Sequence, residues 1–297
     1  MAGWFYYVGH DVIGAYVGRK LGAVGWYQAD CLEEADVALT YCVSPSILED
    51  AYFDDDGLVK NATSGTVLVD LSPSTPSLAR EISAVATVND LVYVEAPLAV
   101  HDPFGELEFT CYVSCEEPDE IASVREVLEA LAVSVEETGA VGSAQLAKAT
   151  STVRMTASIV GAVESEALVR STREAATAPD ENFAGGYPIA LVLADVVAAM
   201  TAADDVDLIL PQLEAAMHLL ELMVVIGGAE MNPGALSLLY REEAASAAHG
   251  LDWTRAEGLY SEQEHDHGHD HDHDYDGYGF DDDDFGYAGG FGGYSAN

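Results

Sequence analysis

The chain has 297 residues, enough for two domains, and its formal net charge of −41 is extreme. Such a negative field repels nucleic acid and anionic membrane surfaces, so we expect neither as a partner. The sequence has no apolar run of about eighteen residues, so we expect no membrane-spanning helix. The four cysteines contain no C-x-x-C pair, and no basic segment precedes the first apolar run. This pattern predicts buried thiols, no signal peptide and a cytoplasmic protein.

Apolar runs alternate with helical periods through the first half of the chain. This alternation predicts a doubly wound, mostly parallel, Rossmann-like sheet in a first domain over residues 1–140. The predicted strands cover residues 4–8, 24–28, 35–43, 66–71, 91–95 and 109–114. The predicted helices cover about 15–21, 46–53, 76–86 and 120–131.

Strand patterns cease at Ser143, which predicts an all-helical second domain over residues 141–260. Ser143 is a suitable N-cap for the first of its helices. Helices are predicted at 143–173, 188–202, 205–226, 233–247 and 251–259, and three prolines fall near their starts.

The last segment, residues 261–297, consists mainly of Asp, His, Gly and Tyr, which predicts disorder. Its five histidines alternate mostly with Asp, and imidazole with carboxylate suits Ni, Zn or similar metals. A hydrophilic, solubilising tail is the alternative. The candidate metal ligands are His265, His267, His269, His271 and His273.

A strand followed by Gly9-x-x-x-x-Gly14 and a helix has the layout of a dinucleotide-binding turn. Gly9 permits the tight turn, and Gly14 lets the helix pack closely on the strand. Asp11 stands where a middle glycine would let the backbone approach a pyrophosphate, and it adds negative charge there. A plain turn between strand and helix is the alternative. Asp30, about twenty residues further on, is either a ribose ligand or a loop residue.

Several later segments carry a resemblance to a known family. Asp70 and Ser72 end one strand, and Glu95-Ala-Pro97-Leu98 ends the next. A helix with Gly139, Gly142 and Lys148 then follows. Lys148 lies among small and hydroxyl side chains, and its spacing alone is compatible with a solvated surface residue or a site residue. In this order, over about residues 3 to 245, the chain resembles the β-hydroxyacid dehydrogenases, the relatives of 3-hydroxyisobutyrate dehydrogenase and of the N-terminal domain of 6-phosphogluconate dehydrogenase.

The resemblance implies an NAD(P)-dependent oxidoreductase that acts on a small hydroxy acid or a related carbonyl compound. Lys148 would be the catalytic acid and base, and its removal would affect chemistry rather than folding. His101 would be a second donor or a loop residue without a role. The cofactor would contact Gly9, Val12, Ile13, Gly14, Val43, Ser44 and Ser72, and the substrate would contact Pro97, Ala99 and Thr152.

The chain departs from the family pattern at several places. Pro73 and Thr152 replace a family Thr and Asn, Ala99-Val100-His101 replaces Ser-Gly-Gly, and Ala194 replaces a Lys beside the retained Asp195. The stretch from Gly14 to Ala35 is too short for a complete second strand and helix. A non-catalytic relative that binds a nucleotide or ligand, and a metal-binding or metal-delivery protein, are therefore alternative hypotheses.

The helical region carries more apolar surface than one small domain buries, most clearly over residues 215–231. In the resembling family the helical domains pack across a two-fold interface. We therefore expect a homodimer through about residues 145–245.

Overall fold

The computed structural model describes residues 3–171 and 182–256. The chain divides into two units, Met1–Gly258 and Leu259–Asn297, and every described residue belongs to the first of them. The predicted disordered segment, its five histidines, residues 172 and 173 of the first long helix and the end of the helix at 251–259 lie outside the described residues.

One sheet of eight strands organises the described part of the chain. The strand order is β2-β1-β3-β4-β5-β7-β6, and β8 also pairs with β7. The strands β1 to β5 run parallel to one another, whereas β7 is antiparallel to β5 and β6. The strands are β1 (Trp4–Gly9), β2 (Tyr27–Gln28), β3 (Val37–Tyr41), β4 (Val67–Asp70), β5 (Val92–Glu95), β6 (Leu98–Val100), β7 (Phe109–Ser114) and β8 (Ser134–Gly139).

Helices cover both faces of this sheet, because parallel strands need crossover connections. One core joins α1, α5 and the later helices to the sheet, and a second core lies under α2 and α4. The helices are α1 (Asp11–Ala23), α2 (Pro45–Phe53), α3 (Leu58–Asn61), α4 (Pro76–Val88), α5 (Pro118–Leu131), α6 (Ser143–Ser171), α7 (Ile189–Asp204), α8 (Pro211–Val225) and α9 (Glu243–Ala247). The predicted Rossmann-like sheet followed by helices is confirmed.

Local signals explain where several helices begin. Ser44 and Thr75 precede α2 and α4, and each side-chain oxygen accepts a hydrogen bond from a backbone N–H of the first turn. A proline follows each cap, at the position where a missing N–H costs least. The predicted cap at Ser143 is wrong, because its hydroxyl instead donates to the Ala140 carbonyl at 2.6 Å.

The glycine turn after β1 has the two predicted properties. Gly9 has φ +135°, and a Cβ built there would lie 2.0 Å from the Tyr41 carbonyl oxygen. A Cβ on Gly14 would lie 2.7 Å from the Tyr7 ring. Glycine is therefore required at both positions, since the turn abuts β3 and α1 lies directly on β1.

Other predicted elements differ from the structure. Two strands, β6 and β8, were not predicted, and β2 has only two residues. The single helix predicted at 233–247 is wrong. A 3₁₀ turn, Pro233–Tyr240, is followed by extended backbone at Arg241 and Glu242 and then by α9. Ala235, Leu236 and Leu238 are buried, so the core holds this turn in the tighter geometry.

The predicted helix at 205–226 begins later, at Pro211, because residues 205–210 form a loop. Cys42, Cys111 and Cys115 are buried free thiols, as expected, whereas Cys31 is partly exposed and the expectation is wrong for it. Within residues 3–171 and 182–256, none of the helices combines the length and apolarity that a membrane crossing requires.

Candidate functional site

The first turn of α6 is held by a buried carboxylate at the end of β5. Glu95 accepts hydrogen bonds from the backbone N–H groups of Gly142 and Gln145, both at 2.6 Å. The Ser114 hydroxyl donates to the same carboxylate. Free N–H groups and the helix dipole make a helix N-terminus favourable for an anion, so Glu95 fixes where α6 begins.

A second tie joins α6 to the loop after β4. Gln145 is fully buried; its side-chain oxygen accepts from the Ser74 N–H, and its side-chain nitrogen donates to the Ser72 carbonyl, both at 2.9 Å. Both polar ends of the amide are therefore satisfied by backbone groups of this loop. These two hydrogen bonds place α6 beside the carboxyl ends of β4 and β5, where ligands bind in doubly wound sheets.

Lys148 lies one turn further along α6 and is only 3% exposed. Its ammonium group donates to Asp195 Oδ2 of α7 at 2.5 Å, and Asp195 is 1% exposed. Burying either charge alone would be costly, so the two groups are held as an ion pair. The lysine is an interior residue and not a solvated surface residue.

Two tyrosines extend this ion pair toward the sheet. The Tyr187 hydroxyl donates to Asp195 Oδ2 at 3.0 Å, and the Tyr41 hydroxyl lies 3.0 Å from that of Tyr187. All four side chains are buried. A polar chain therefore runs from Lys148 on α6 to the carboxyl end of β3.

Two buried polar atoms beside the ion pair have no partner. Asp195 Oδ1 and the Thr152 hydroxyl form no hydrogen bond with any residue that the structure describes. Thr152 follows Lys148 by four residues on α6, so the two side chains lie on one face of the helix. Unsatisfied buried polar groups are rare, and here they mark a place where a polar ligand group or water would be stabilised.

The segment predicted to contact substrate is a strand. Ala99 lies within β6 and is 3% exposed, and Pro97 is buried just before β6. Backbone pairing with β7 uses the hydrogen-bonding groups of this segment. His101 lies at the exposed turn after β6, and the described contacts include no hydrogen bond between His101 and Lys148.

The turn between β1 and α1 fits a phosphate group in part. Among the described residues no side chain caps α1, so its first N–H groups point outward from a helix N-terminus. His10 Nδ1, at the same turn, is buried and has no partner within the described chain. Asp11 is exposed in the first turn and opposes an anion. Asp30 is exposed two residues after β2.

The remaining candidate cofactor residues fall into two groups. Val12, Val43 and Ser44 are partly exposed at the carboxyl edge of the sheet. Ile13 and Ser72 are fully buried, and the Ser72 hydroxyl accepts from the Cys42 N–H at 2.9 Å. A cofactor contact through the side chain of Ile13 or Ser72 would therefore need a change in side-chain packing.

Three carboxyl groups near this edge are buried. Burial raises the pKa of Asp70 to about 7 from 3.8, against hydrogen bonds from Ser72 and Tyr93 that lower it. Burial likewise raises the pKa values of Glu95 and Asp195. A carboxyl group with a raised folded pKa binds more protons in the folded state, so stability falls as pH rises between the unfolded and folded values.

We therefore expect the protein to melt at a higher temperature near pH 5.5 than near pH 8. For Asp70 alone the difference is about 2 kcal/mol, or about 5 °C. Asp70→Asn should reduce this difference, whereas Asp56→Asn on the exposed acidic turn should not. Equal melting temperatures at both pH values, measured by differential scanning calorimetry, would contradict the assignment.

Residues 17–142 match the sequence family described as the NAD binding domain of 6-phosphogluconate dehydrogenase. This part of the chain is therefore similar to an NAD-binding domain of that type. The matched segment begins inside α1, after the Gly9–Gly14 turn, and ends just before α6. The resemblance inferred from Asp70, Ser72 and Glu95-Ala-Pro97 is thus confirmed for this domain.

Two curated relatives of the chain are named as an oxidoreductase and a dehydrogenase. The uncharacterized oxidoreductase YkwC of Bacillus subtilis is 27% identical over 143 residues, which is 48% of this chain and 50% of that protein. The NAD-dependent L-serine dehydrogenase of Pseudomonas aeruginosa is 25% identical over 139 residues, 47% of each protein. The chain therefore spans about half the length of the curated relatives it matches.

The Mycobacterium tuberculosis 3-hydroxyisobutyrate dehydrogenase, solved with L-serine, has a TM-score of 0.64 and 18% identity. That likeness covers 82% of this chain and all of the other, and at this identity it establishes a shared fold.

Residues that the sequence had not placed in the site complete it. Asp195, Tyr187 and Tyr41 contact one another or Lys148, whereas Glu95 and Gln145 position α6. One signal was available: Asp195 is the only charge in the apolar stretch from Ile189 to Thr201. Nothing in the sequence pattern predicts the tyrosine contacts, which depend on how α7 meets β3.

Proposed function

We propose that the chain is an NAD(P)-dependent oxidoreductase acting on a small hydroxy acid or a related carbonyl compound. The observation that carries this proposal is the buried Lys148–Asp195 ion pair beside two unpartnered polar atoms, next to an NAD-binding domain. The relative named as an NAD-dependent L-serine dehydrogenase, and the structure of a 3-hydroxyisobutyrate dehydrogenase with L-serine, support this substrate class.

Lys148 would exchange a proton with the substrate oxygen, as the acid in reduction and as the base in oxidation. Thr152 and Asp195 Oδ1 would satisfy other polar groups of the substrate. Water is excluded by the buried surroundings, which strengthens each of these interactions. A bound nicotinamide cofactor would supply or accept the hydride.

The backbone N–H groups at the start of α1 would hold the cofactor phosphates, with Gly9, Val12 and Gly14 at the turn. Val43, Ser44 and Ser72 would line the edge beyond it, and Asp30 would reach the ribose. Calorimetric titration with NADH and NADPH tests nucleotide binding. Oxidation of L-serine and 3-hydroxyisobutyrate, followed by the absorbance of the reduced cofactor, tests turnover. Failure to bind either nucleotide would refute the proposal.

Asp11→Asn should strengthen NADH binding by about three- to tenfold at low salt, because a carboxylate beside the phosphates is removed from the helix N-terminus. The gain should shrink in high salt, which screens exposed charges. Asp30→Asn is the matched control at the same edge, and it should weaken binding instead. Equal affinities of wild type and Asp11→Asn for NADH at low salt would show that the cofactor phosphates do not bind at the start of α1.

A non-catalytic, nucleotide-binding relative is the second candidate. It is favoured by the low exposure of Lys148 and by the sheet pairing of the segment Leu98–Val100. Nucleotide binding without turnover on any small hydroxy acid would select this candidate.

We also propose that the protein is a homodimer through the helical region. Leu146, Leu168 and Val169 of α6 are large, exposed apolar side chains, as are Leu208 and Ile209 in the loop before α8. Light scattering should give about twice the monomer mass of 31.5 kDa in low and high salt. A monomer at micromolar concentration would contradict this.

Metal capture by His265 to His273 stays a prediction outside the described residues. Within the described ones, no group of three or more His, Cys, Asp or Glu side chains is arranged to hold a metal. Truncation after Tyr260 should remove Ni²⁺ or Zn²⁺ binding without affecting nucleotide binding, and a hydrophilic tail would bind neither metal. The division into domains at residue 140 and the cytoplasmic location are likewise proposals.

A further inference from the structure

The hydroxyl groups of Tyr187 and Tyr41 belong to the same buried chain as Lys148, yet the proposed chemistry does not use them. Tyr187 has a single hydroxyl proton, and it is donated to Asp195 Oδ2. The Tyr41 hydroxyl, 3.0 Å away, must therefore be the donor to Tyr187. Both tyrosines are fully buried, so water does not replace either bond.

We propose that Tyr187, supported by Tyr41, is a positioning residue that sets the pH at which the Lys148–Asp195 pair releases the proton it holds. This inference rests on the proposed function only for its kinetic consequence. The contacts themselves are independent of any substrate.

Loss of the Lys148 proton changes the environment of Asp195. Asp195 is then a buried carboxylate with no cation opposite it, which is a costly state. The Tyr187 hydroxyl stabilises that carboxylate by donating to it, and this bond acts against the burial that raises the pKa of Asp195. The hydroxyl bonds more strongly to this unpaired carboxylate than to one paired with an ammonium group, so the donor lowers the pH at which the ion pair releases its proton.

The groups that act on the pair come from four elements. Asp195 faces Lys148 of α6 and Tyr187, which precedes α7. Tyr187 in turn faces Tyr41 of β3, and Tyr41 faces Tyr7 of β1. Within the described residues Lys148 is the only cation in this set. A measured titration midpoint therefore describes the Lys148–Asp195 ion pair and not either residue alone.

The ring of Tyr187 has a separate structural role that a test must leave intact. It packs edge-on against Phe109 with ring centroids 6.1 Å apart. Tyr16 packs edge-on against the same Phe109, with centroids 5.0 Å apart, but its hydroxyl donates to the Leu131 carbonyl. Tyr16→Phe is thus a matched control: it removes one buried hydroxyl beside Phe109 without touching the ion pair.

The chain allows a direct measurement because it has only three lysines, Lys20, Lys60 and Lys148. Carbon-13-labelled lysine gives three NMR signals, which Lys20→Arg and Lys60→Arg assign. The Lys148 signal is followed against pH in the full-length wild type, Tyr187→Phe, Tyr41→Phe and Tyr16→Phe, with circular dichroism confirming the fold at each pH.

In Tyr187→Phe we expect the midpoint to move upward by up to about one pH unit, because the hydrogen bond that is lost is stronger to the unpaired carboxylate than to the paired one. Tyr41→Phe should move it less and in the same direction, and it is the decisive variant if Tyr187→Phe does not fold. Tyr16→Phe should leave it unchanged. An unchanged midpoint in both Tyr187→Phe and Tyr41→Phe, or an equal shift in Tyr16→Phe, overturns the inference.

Kinetics separate this inference from the proposed function. If the protein oxidises a hydroxy acid, the pH profile of kcat in Tyr187→Phe should shift upward with the NMR midpoint. At a pH below the midpoint, kcat should fall about tenfold while KM changes little. Midpoint shifts in a protein without turnover would refute the proposed function and support the inference. Turnover with an unshifted pH profile would support the proposed function and refute the inference.

Discussion

Lys148→Ala should reduce turnover by about 10²–10⁴-fold, the usual contribution of a positioned acid and base. It should also lower the free energy of unfolding by about 3–5 kcal/mol, because Asp195 is left buried without its cation. The sequence predicted little effect on folding, and the buried ion pair overturns that expectation. Steady-state kinetics and urea denaturation measure the two effects separately.

The double variant Lys148→Met with Asp195→Asn is the control for this result. It removes both charges, so most of the lost stability should return while turnover stays low. The Asn side-chain oxygen still accepts from the Tyr187 hydroxyl. Lys148→Ala with wild-type turnover and an unchanged pH profile would exclude the proposed catalytic role. A double variant as unstable as the single one would mean that the unpaired charge is not the cause.

Glu95→Ala should destabilise the protein by about 3 kcal/mol or more, which corresponds to a fall in melting temperature of about 10 °C. The substitution leaves two buried N–H groups, of Gly142 and Gln145, and the Ser114 hydroxyl without their acceptor. Removal of a helix cap alone costs about 1 kcal/mol. Any loss of stability beyond that value is the cost of leaving buried donors without an acceptor. Differential scanning calorimetry provides the measurement.

Two further variants sharpen the Glu95 experiment. Glu95→Gln keeps one acceptor oxygen but places an NH₂ group against a donor, so its effect should be intermediate. Glu81→Ala removes a carboxylate from the exposed surface of α4 and should change stability by less than about 0.5 kcal/mol. Equal melting temperatures for Glu95→Ala and Glu81→Ala would show that Glu95 does not hold α6.

Most of the sheet was predictable because its central strands, such as Val37–Tyr41, are short apolar runs buried on both faces. The strand β8 was missed because its residues, SVEETG, are polar and partly exposed, so only pairing with β7 defines it. The 3₁₀ turn at Pro233–Tyr240 was missed because tertiary burial, and not local propensity, sets its geometry.

The site was predictable in part. Lys148 stood out as a charge among small residues, and the glycine turn and the Glu95-Ala-Pro97 segment gave the family. The sequence analysis did not identify its partner, although Asp195 is a lone acid in an apolar helix and a buried charge needs a partner of opposite sign. Glu95 and Gln145 act through backbone groups that become adjacent only after folding. Their roles therefore could not be predicted from a sequence pattern.

The attachment of α6 at Gly142 and Gln145 has a consequence for how the chain can change in length. A helix turns by about 100° and rises by about 1.5 Å with each residue. The number of residues between Gln145 and Lys148 therefore determines which side of the helix Lys148 lies on. One residue added or deleted between them would swing the lysine away from Asp195 toward the surface on which Leu146 is exposed. Beyond Lys148, in the exposed stretch that carries Leu168 and Val169, the same insertion would leave the lysine where it is.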